Sequence, residues 1–300
     1  MNKYVIFTDS CSDLSTELRQ KYEIGYCRMG IVVDGKEYPA DLDWKAYTPK
    51  EFYDWMRQGK SLRTTQVTLP EYIEQFTPWL EKGYDILHLA VSSSLSGSYS
   101  LAITLAKPEL EEKFPGRKIV VIDTLAAAYT QGILVLHAAL NKEKGMSLEE
   151  NAKWVEENKL RSNQFATVDT LTYLSKAGRI KGSKAFFGNM FHVKPIFISD
   201  RKGNNYTVKT VKGTKNSYNE LIAGIKEACL DLENDTVYVG HGDNLEAANL
   251  IKTRLETELG CKHVEIIQIG PIIGTTCGPS ILATFVLGKE VTRYEGEDKE

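Results

Sequence analysis

The sequence predicts an α/β protein of two domains, on three observations. Three strand–turn–helix units follow one another before residue 160, each opened by a short apolar run and followed by helix-capping residues. The second half instead mixes strand hairpins with helices, the pattern of a mixed sheet. At 300 residues, the chain exceeds the usual size of a single domain. The expected architecture is an N-terminal parallel-sheet α/β domain over residues 1–160 and a C-terminal mixed-sheet α/β domain over 161–294. The two patterns change at KLRSN, near residues 159–164, and a charged tail, EGEDKE, fills 295–300 and is expected to be disordered.

Taken in order, Lys3 to Thr8 reads as a buried strand. The following DSCSDLSTELRQKY begins with capping residues and becomes amphipathic, with Leu14 and Leu18 on one face. Asp9, at the strand end, stands where a catalytic carboxylate could act, but Cys11 occupies the place of a second acid, and a turn or capping role fits better. Two short strands flank Asp34-Gly35, a hairpin signal. Thr48-Pro49 opens a helix rich in aromatic residues (Phe52, Tyr53, Trp55). SLRTTQVTLP, residues 61–70, reads as a polar loop before another helix.

Asp85 to Ala106, DILHLAVSSSLSGSYSLAITLA, is the stretch on which a ligand site can be built. An apolar strand gives way to five serines (Ser92, Ser93, Ser94, Ser96, Ser98) around Gly97, and then to a helix. Unpaired N–H groups and the helix dipole make such a turn a place for a carboxylate or phosphate, although one serine serving as a helix cap is the plainer reading. KIVVID (118–123) is a third buried strand, followed by a long helix to Leu140 and another over 147–158. Asp9, the serine turn and Asp123 all fall at the carboxyl edge of one sheet, where ligands of parallel sheets bind.

The second half reads as a short strand FATVDTL, a helix–loop–helix YLSKAGRIKGSKAFFGNMF and a hairpin around Arg201 to Asn205. A helix (218–232), the strand TVYVGHGD and a helix (244–259) follow. The strand VEIIQIG then leads into a loop, PIIGTTCGP, and an apolar terminal helix, SILATFVLG. No internal repeat or low-complexity tract interrupts this order.

Composition excludes several classes. Net charge is −3 with basic residues interspersed, so no nucleic-acid partner is expected. The N-terminus enters a strand directly without a signal-peptide pattern, and the apolar segment 126–140 is too short and too interrupted to span a bilayer, so a soluble cytoplasmic protein is expected. The five cysteines have no CxxC spacing and no histidine cluster near them, which argues against a metal site. Cys11 and Cys277 sit in turns that could acidify a thiol, but neither has an evident histidine partner, and small packing residues fit better.

Taken together, the motifs TDSCSDL (from Thr8), TTQ (from Thr64), SSSLSGSY (from Ser92), LSKAGRI (from Leu174), KPI (from Lys194) and IGPIIGTTCGPS (from Ile269) resemble the DegV family in order and spacing along nearly the whole chain. The resemblance implies a carrier, with no cofactor and no chemistry of its own, that holds one long-chain fatty acid between two α/β domains. It also implies that some members present the acid to a fatty acid kinase for acyl-phosphate formation. Carried over by position, Thr64, Thr65, Ser92 and Ser93 hold the carboxylate with the amides around Ser96 and Gly97, Thr275 and Thr276 belong to the last head-group loop, and Arg179 lies near the entrance or the partner surface. Thr276 stands where the family has a histidine, and Ala177 replaces a glycine. Without a cation beside it, a bound carboxylate is held by hydroxyls and amides, with a less depressed pKa. His192 could substitute for the missing histidine, but it and His241 read more simply as structural.

The tail needs an apolar slot, for which Phe165, Phe186, Phe187, Met190, Phe191, Ile196, Ile272, Ile273, Leu282 and Phe285 flank the polar motifs. All of them are equally ordinary core material. Burying about ten methylenes at roughly 0.8 kcal/mol each gives ~8 kcal/mol before ordering costs, so the tail supplies affinity and the head group sets orientation. The alternative reading is an enzyme acting on a phosphorylated or acyl substrate through Ser93 or Asp9.

Overall fold

The computed structural model describes residues 3–181 and 193–293. The helix expected after Gly182, the tail candidates Phe186, Phe187, Met190 and Phe191, His192, and the charged tail lie outside the described residues.

Strand β1 (Tyr4–Asp9), fully buried, runs into a 3-10 turn (Ser10–Ser12) and α1 (Thr16–Lys21), then β2 (Ile24–Cys27). β3 (Gly30–Val33) and β4 (Lys36–Pro39) form the hairpin, with Asp34 and Gly35 both at positive φ. Helix α2 (Pro49–Arg57) starts at a capping box in which Thr48 and Glu51 satisfy each other's backbone N–H. The expected polar loop instead contains β5 (Leu62–Thr65), which pairs antiparallel with β3 to make a small sheet of order β4-β3-β5. Its residues are polar because a strand covering the surface has little apolar face to show. α3 (Leu69–Glu81) and β6 (Asp85–Ala90) follow. Beyond the serine turn, α4 (Ser98–Leu101) continues through a π turn (Ala102–Ala106) into α5 (Lys107–Lys113). β7 (Ile119–Asp123), α6 (Tyr129–Glu143) and α7 (Leu148–Asn158) close this half. Strands β2-β1-β6-β7 form the expected all-parallel sheet.

The second half contributes β8 (Ser162–Thr167), α8 (Thr172–Ala177), β9 (Val193–Ser199), β10 (Asn205–Lys212), α9 (Thr214–Ala228), β11 (Thr236–His241), α10 (Leu245–Glu258), β12 (His263–Gln268), α11 (Pro271–Cys277) and β13 (Leu282–Leu287). The sheet order is β10-β9-β8-β13-β11-β12, antiparallel except at β11/β12, as a mixed sheet requires. Two expectations are overturned here. PIIGTTCGP is not a loop, because Pro271 sits at the first turn of a short helix. SILATFVLG is not a helix but the strand β13, flanked by β8 and β11. Both faces of β13 are buried, so its apolar run carries no period of two to mark it as a strand.

Helix α6 joins the halves. It packs against β1 and β6 on one side and β8 and β13 on the other, and one apolar core runs from Ile6, Leu87 and Leu134 to Ala166, Ile269 and Phe285. The far face of the six-stranded sheet is covered by α9 and α10 through Leu221, Ile251, Leu282 and Val286. α11 crosses back to pack against α2, β3 and β5. The space left between α11, the serine turn and the near face of the six-stranded sheet is the site.

Candidate functional site: an amphiphilic cavity

The first-half sheet sets the site's upper edge through Asp9. Its two carboxylate oxygens accept from Cys11 N (2.9 Å) and Val91 N (2.8 Å), pinning the ends of β1 and β6 together. Burial lifts this carboxyl to about 6, against the pull of those two amides. Asp9 is fully buried and faces no solvent or cavity, so it organises the turn rather than offering a free carboxylate.

The serine turn has two parts with different work. Ser92 is buried; its hydroxyl donates to Gly203 O (2.9 Å) and accepts from Ser94 N, while Ser94 Oγ donates to Lys202 O (2.7 Å). These bonds clamp the turn to the β9–β10 hairpin. Ser93 is exposed, with its N–H donated to Asp123. Neither Ser92 nor Ser93 is among the residues that line the cavity. Ser92 instead satisfies a backbone carbonyl of a hairpin more than a hundred residues away, a partner the local pattern does not contain. Ser92→Ala is therefore expected to lower stability by ~1–2 kcal/mol, from the orphaned Gly203 carbonyl, without changing affinity for a bound acid; urea melts and ligand titration of the same variant check both halves.

Ser96 and Gly97 turn the other way and line the cavity. Ser96 Oγ lies 3.0 Å from Ser98 Oγ, which accepts from Val67 N (3.1 Å) and so ties the TTQ segment to the turn. The Gln66 carboxamide lies directly against Gly97, so the TTQ segment and the serine turn meet here. Thr64 and Thr65, half-buried, bring their segment to the same wall. From α11, Thr276 reaches the cavity with its hydroxyl donated to Ile272 O (3.1 Å); Thr275 is buried beside it, outside the cavity, with its hydroxyl unpaired. Arg179 is held by Leu95 O (3.2 Å) and the carbonyl of Ala177 at the rim.

These groups surround one end of a cavity of about 150 Å³. Gln164 and Asn205 add two amides to the lining, Gln164 Nε2 donating to Asn205 Oδ1 (2.7 Å) and Asn205 Nδ2 to Arg179 O (3.4 Å); Met29, Phe197, Ile269, Ile272, Ile273 and Phe285 are among its apolar members. The floor is the six-stranded sheet, where register sets Ala283 against Ala166 and Ala166 against Phe197; two alanines side by side leave the groove. Of the tail candidates, Ile272, Ile273 and Phe285 line the cavity, whereas Phe165 and Leu282 lie on the opposite face of their strands, and Ile196 is likewise one position out of phase. Strand parity decides this, since a one-residue slip exchanges the two faces. Ala166, Ala283 and Phe197 were not singled out in the sequence; Ala166 and Ala283, one small residue on each of two adjacent strands, are the signal that would have found the floor.

At the mouth, Thr64, Arg179 and Thr276 also border an outer hollow of about 270 Å³ lined by Lys60, Arg63 and Lys176, with no acidic side chain among its described lining. Cys11 and Cys277 line the cavity too, but burial pushes the Cys277 thiol up to about 12 and holds Cys11 well above the ordinary thiol range, so neither is a thiolate. His241 ends β11, buried, and is not part of the lining. Among the described residues no group of His, Cys, Asp and Glu could hold a metal ion, and no helix is long and apolar enough to cross a membrane.

Fold and site together define an α/β protein with a parallel and a mixed sheet and an interior slot lined by both polar and apolar side chains. The model of the DegV family matches residues 3–289, and the chain belongs to that family. A DegV domain-containing protein of Clostridium perfringens is 35% identical over 288 residues, covering 96% of this chain and 98% of its own. Among solved structures, a DegV family protein from Thermus thermophilus described for its fatty acid binding superposes with a TM-score of 0.84 at 25% identity, over 96% of this chain and 100% of that one. A stearic acid-binding protein from Eubacterium ventriosum gives 0.85 at 25% identity, over 95% and 98%.

Proposed function

We propose that this chain binds one long-chain fatty acid, its carboxylate at the Thr64, Thr65, Ser96, Gly97 and Thr276 end and its tail along the alanine groove. The observation that carries this reading is a buried cavity lined both by hydroxyl residues (Thr64, Thr65, Ser96, Thr276) and by a run of apolar side chains (Met29, Phe197, Ile269, Ile272, Ile273, Phe285). Similar proteins at 25% identity are described as binding fatty acids, which supports the same ligand class here. Each methylene buried stabilises by roughly 0.8 kcal/mol, so the groove supplies the affinity and the hydroxyls fix the polarity of entry. Mass spectrometry of gently purified, then denatured protein is expected to release a fatty acid; finding none, with no binding of oleate or palmitate by the stripped protein, overturns the assignment.

The same geometry supports a cytoplasmic carrier that hands the carboxylate to a fatty acid kinase. The carboxylate end opens on a hollow with Lys60, Arg63, Lys176 and Arg179 around it, a field that favours an anionic phosphoryl donor or an acyl-phosphate product. The loaded chain with ATP alone is expected to form no acyl-phosphate, and to form it once a fatty acid kinase is added. Turnover by the isolated chain that is lost in Ser93→Ala would replace the carrier with an enzyme.

A further inference from the structure

An unsubstituted fatty acid carries polar atoms in its carboxyl group alone, yet the cavity presents carboxamides besides the hydroxyls that suit a head group. Gln164 is one of them, and it stands in the floor itself. It lies on β8 two positions from Ala166, hence on the same face of the strand. Register sets Ala166 opposite Ala283 and Gln164 opposite Phe285. The floor therefore has two rows about 7 Å apart, and the second row pairs an amide with a ring.

The hydrogen bonds around this amide fix which way it points. They start from the backbone carbonyl of Arg179, which can only accept. Asn205 Nδ2 donates to it (3.4 Å), and this turns Asn205 Oδ1 toward Gln164. That oxygen accepts from Gln164 Nε2 (2.7 Å) and from Ser199 Oγ (3.3 Å). Gln164 thus gives its NH2 group to Asn205, and its Oε1 points away from the pair.

Among the described residues no hydrogen bond reaches Gln164 Oε1. The side chain is 8% exposed, but this oxygen is not among the fully occluded polar atoms that lack a partner, so it keeps contact with open space. Gln164 also borders a hollow behind the sheet together with Asn163 and Phe165. Asn205, which holds the carboxamide, lines the cavity and not that hollow. The amide is therefore placed on the cavity side.

A free carbonyl oxygen in this position needs a donor. An ionised carboxylate cannot supply one, because it only accepts. A plain methylene chain passing the amide strips it of water and returns no hydrogen bond, which costs binding free energy. A hydroxyl on the acyl chain does both jobs, since it donates to the amide and leaves the rest of the chain apolar.

We propose that Gln164 is a specificity-determining residue for an oxygenated acyl chain: the cavity takes a hydroxy fatty acid whose chain hydroxyl donates to Gln164 Oε1. This deepens the fatty-acid reading above and rests on it.

The test uses the full chain, stripped of lipid, titrated with stearate and with hydroxystearates that carry the hydroxyl at successive positions along the chain. In the unaltered protein at least one hydroxystearate is expected to bind about tenfold more tightly than stearate, the effect of one hydrogen bond. Gln164→Leu keeps the bulk and removes the acceptor, so the order is expected to reverse, with stearate the tighter ligand. Should Gln164→Leu not fold, Gln164→Met carries the same expectation, since a thioether is a weak acceptor at most. No hydroxystearate preferred at any position, or a preference that survives both variants, overturns the proposal while leaving fatty-acid binding intact. An equal loss of stearate and hydroxystearate in the variants overturns it too, because Gln164 would then serve the head group. No binding of any acid by the unaltered protein overturns the binding reading itself.

Discussion

Ala166→Leu is expected to weaken fatty-acid binding roughly a hundredfold while making the empty protein more stable. Ala166 is 2% exposed and sits in the floor of the cavity between Ala283 on β13 and Phe197 on β9. A leucine there adds its side chain to the space reserved for the tail. If three or four methylenes lose their burial, about 3 kcal/mol is lost, a weakening of roughly a hundredfold or more. Most large substitutions in a packed core strain it; this one fills a void, and cavity filling commonly gains ~0.5–2 kcal/mol. Opposite signs in the two measurements separate this mechanism from general misfolding, which would weaken both. Titration with oleate together with urea melts of the stripped protein checks the pair. Undiminished affinity would mean that the tail does not run over Ala166.

How far the molecule is legible in its sequence follows from where each signal is local. The strands β1, β6 and β7 announce themselves as short apolar runs, and Asp34-Gly35 and Thr48-Pro49 carry their turn and cap chemistry with them. β13 does not, because a strand buried on both faces has no alternation, and its uniform run fits a helix equally well. α11 hides behind a composition of glycine, proline and threonine that suits a turn. At the site, Thr64, Ser96, Gly97, Arg179 and Thr276 come together because each sits at the end of an element facing one space. Ser92 shows the limit of motif reading. It shares a turn with Ser96, but its hydroxyl is taken up by Gly203, and nothing in SSSLSGSY records where that hairpin will dock. The tail wall is least legible of all, since it depends on which parity of β8 and β13 faces inward, and that is set by pairing across the sheet.

His88→Leu is expected to make this protein more resistant to mild acid. His88 lies fully buried on β6 between the rings of Tyr72 and Phe76, with centroids 5.4 and 5.6 Å away, and burial lowers its pKa from the ordinary 6.5 to about 3. A group depressed in this way contributes stability that is present above 6.5 and lost as pH falls through about 3. One proton linked over that window amounts to ~1.4 kcal/mol per pH unit, or about 5 kcal/mol in all. Asp9 works in the other direction. Its carboxyl is raised from 3.8 to about 6, so its contribution is present below about 3.8 and lost as pH rises through 6; Asp13, buried and raised as well, has the same sign. Between those limits the slopes of His88 and Asp9 oppose each other; His137 and His241, lowered by burial, share the sign of His88, and Asp13 that of Asp9. Removing the imidazole takes away one acid-sensitive slope, so His88→Leu should lose less stability than the unaltered protein as pH is lowered from neutrality toward about 4. Urea midpoints followed by tryptophan fluorescence across this range measure it, and parallel curves for the two proteins would refute it. The consequence reaches the ligand site: Tyr72, packed on His88, donates its hydroxyl to Ser98 O (3.1 Å), and Ser98 Oγ holds the amide of Val67. Charging His88 therefore loosens the tie between the TTQ segment and the serine turn, and acid should release a bound fatty acid from the unaltered protein at a higher pH than from His88→Leu.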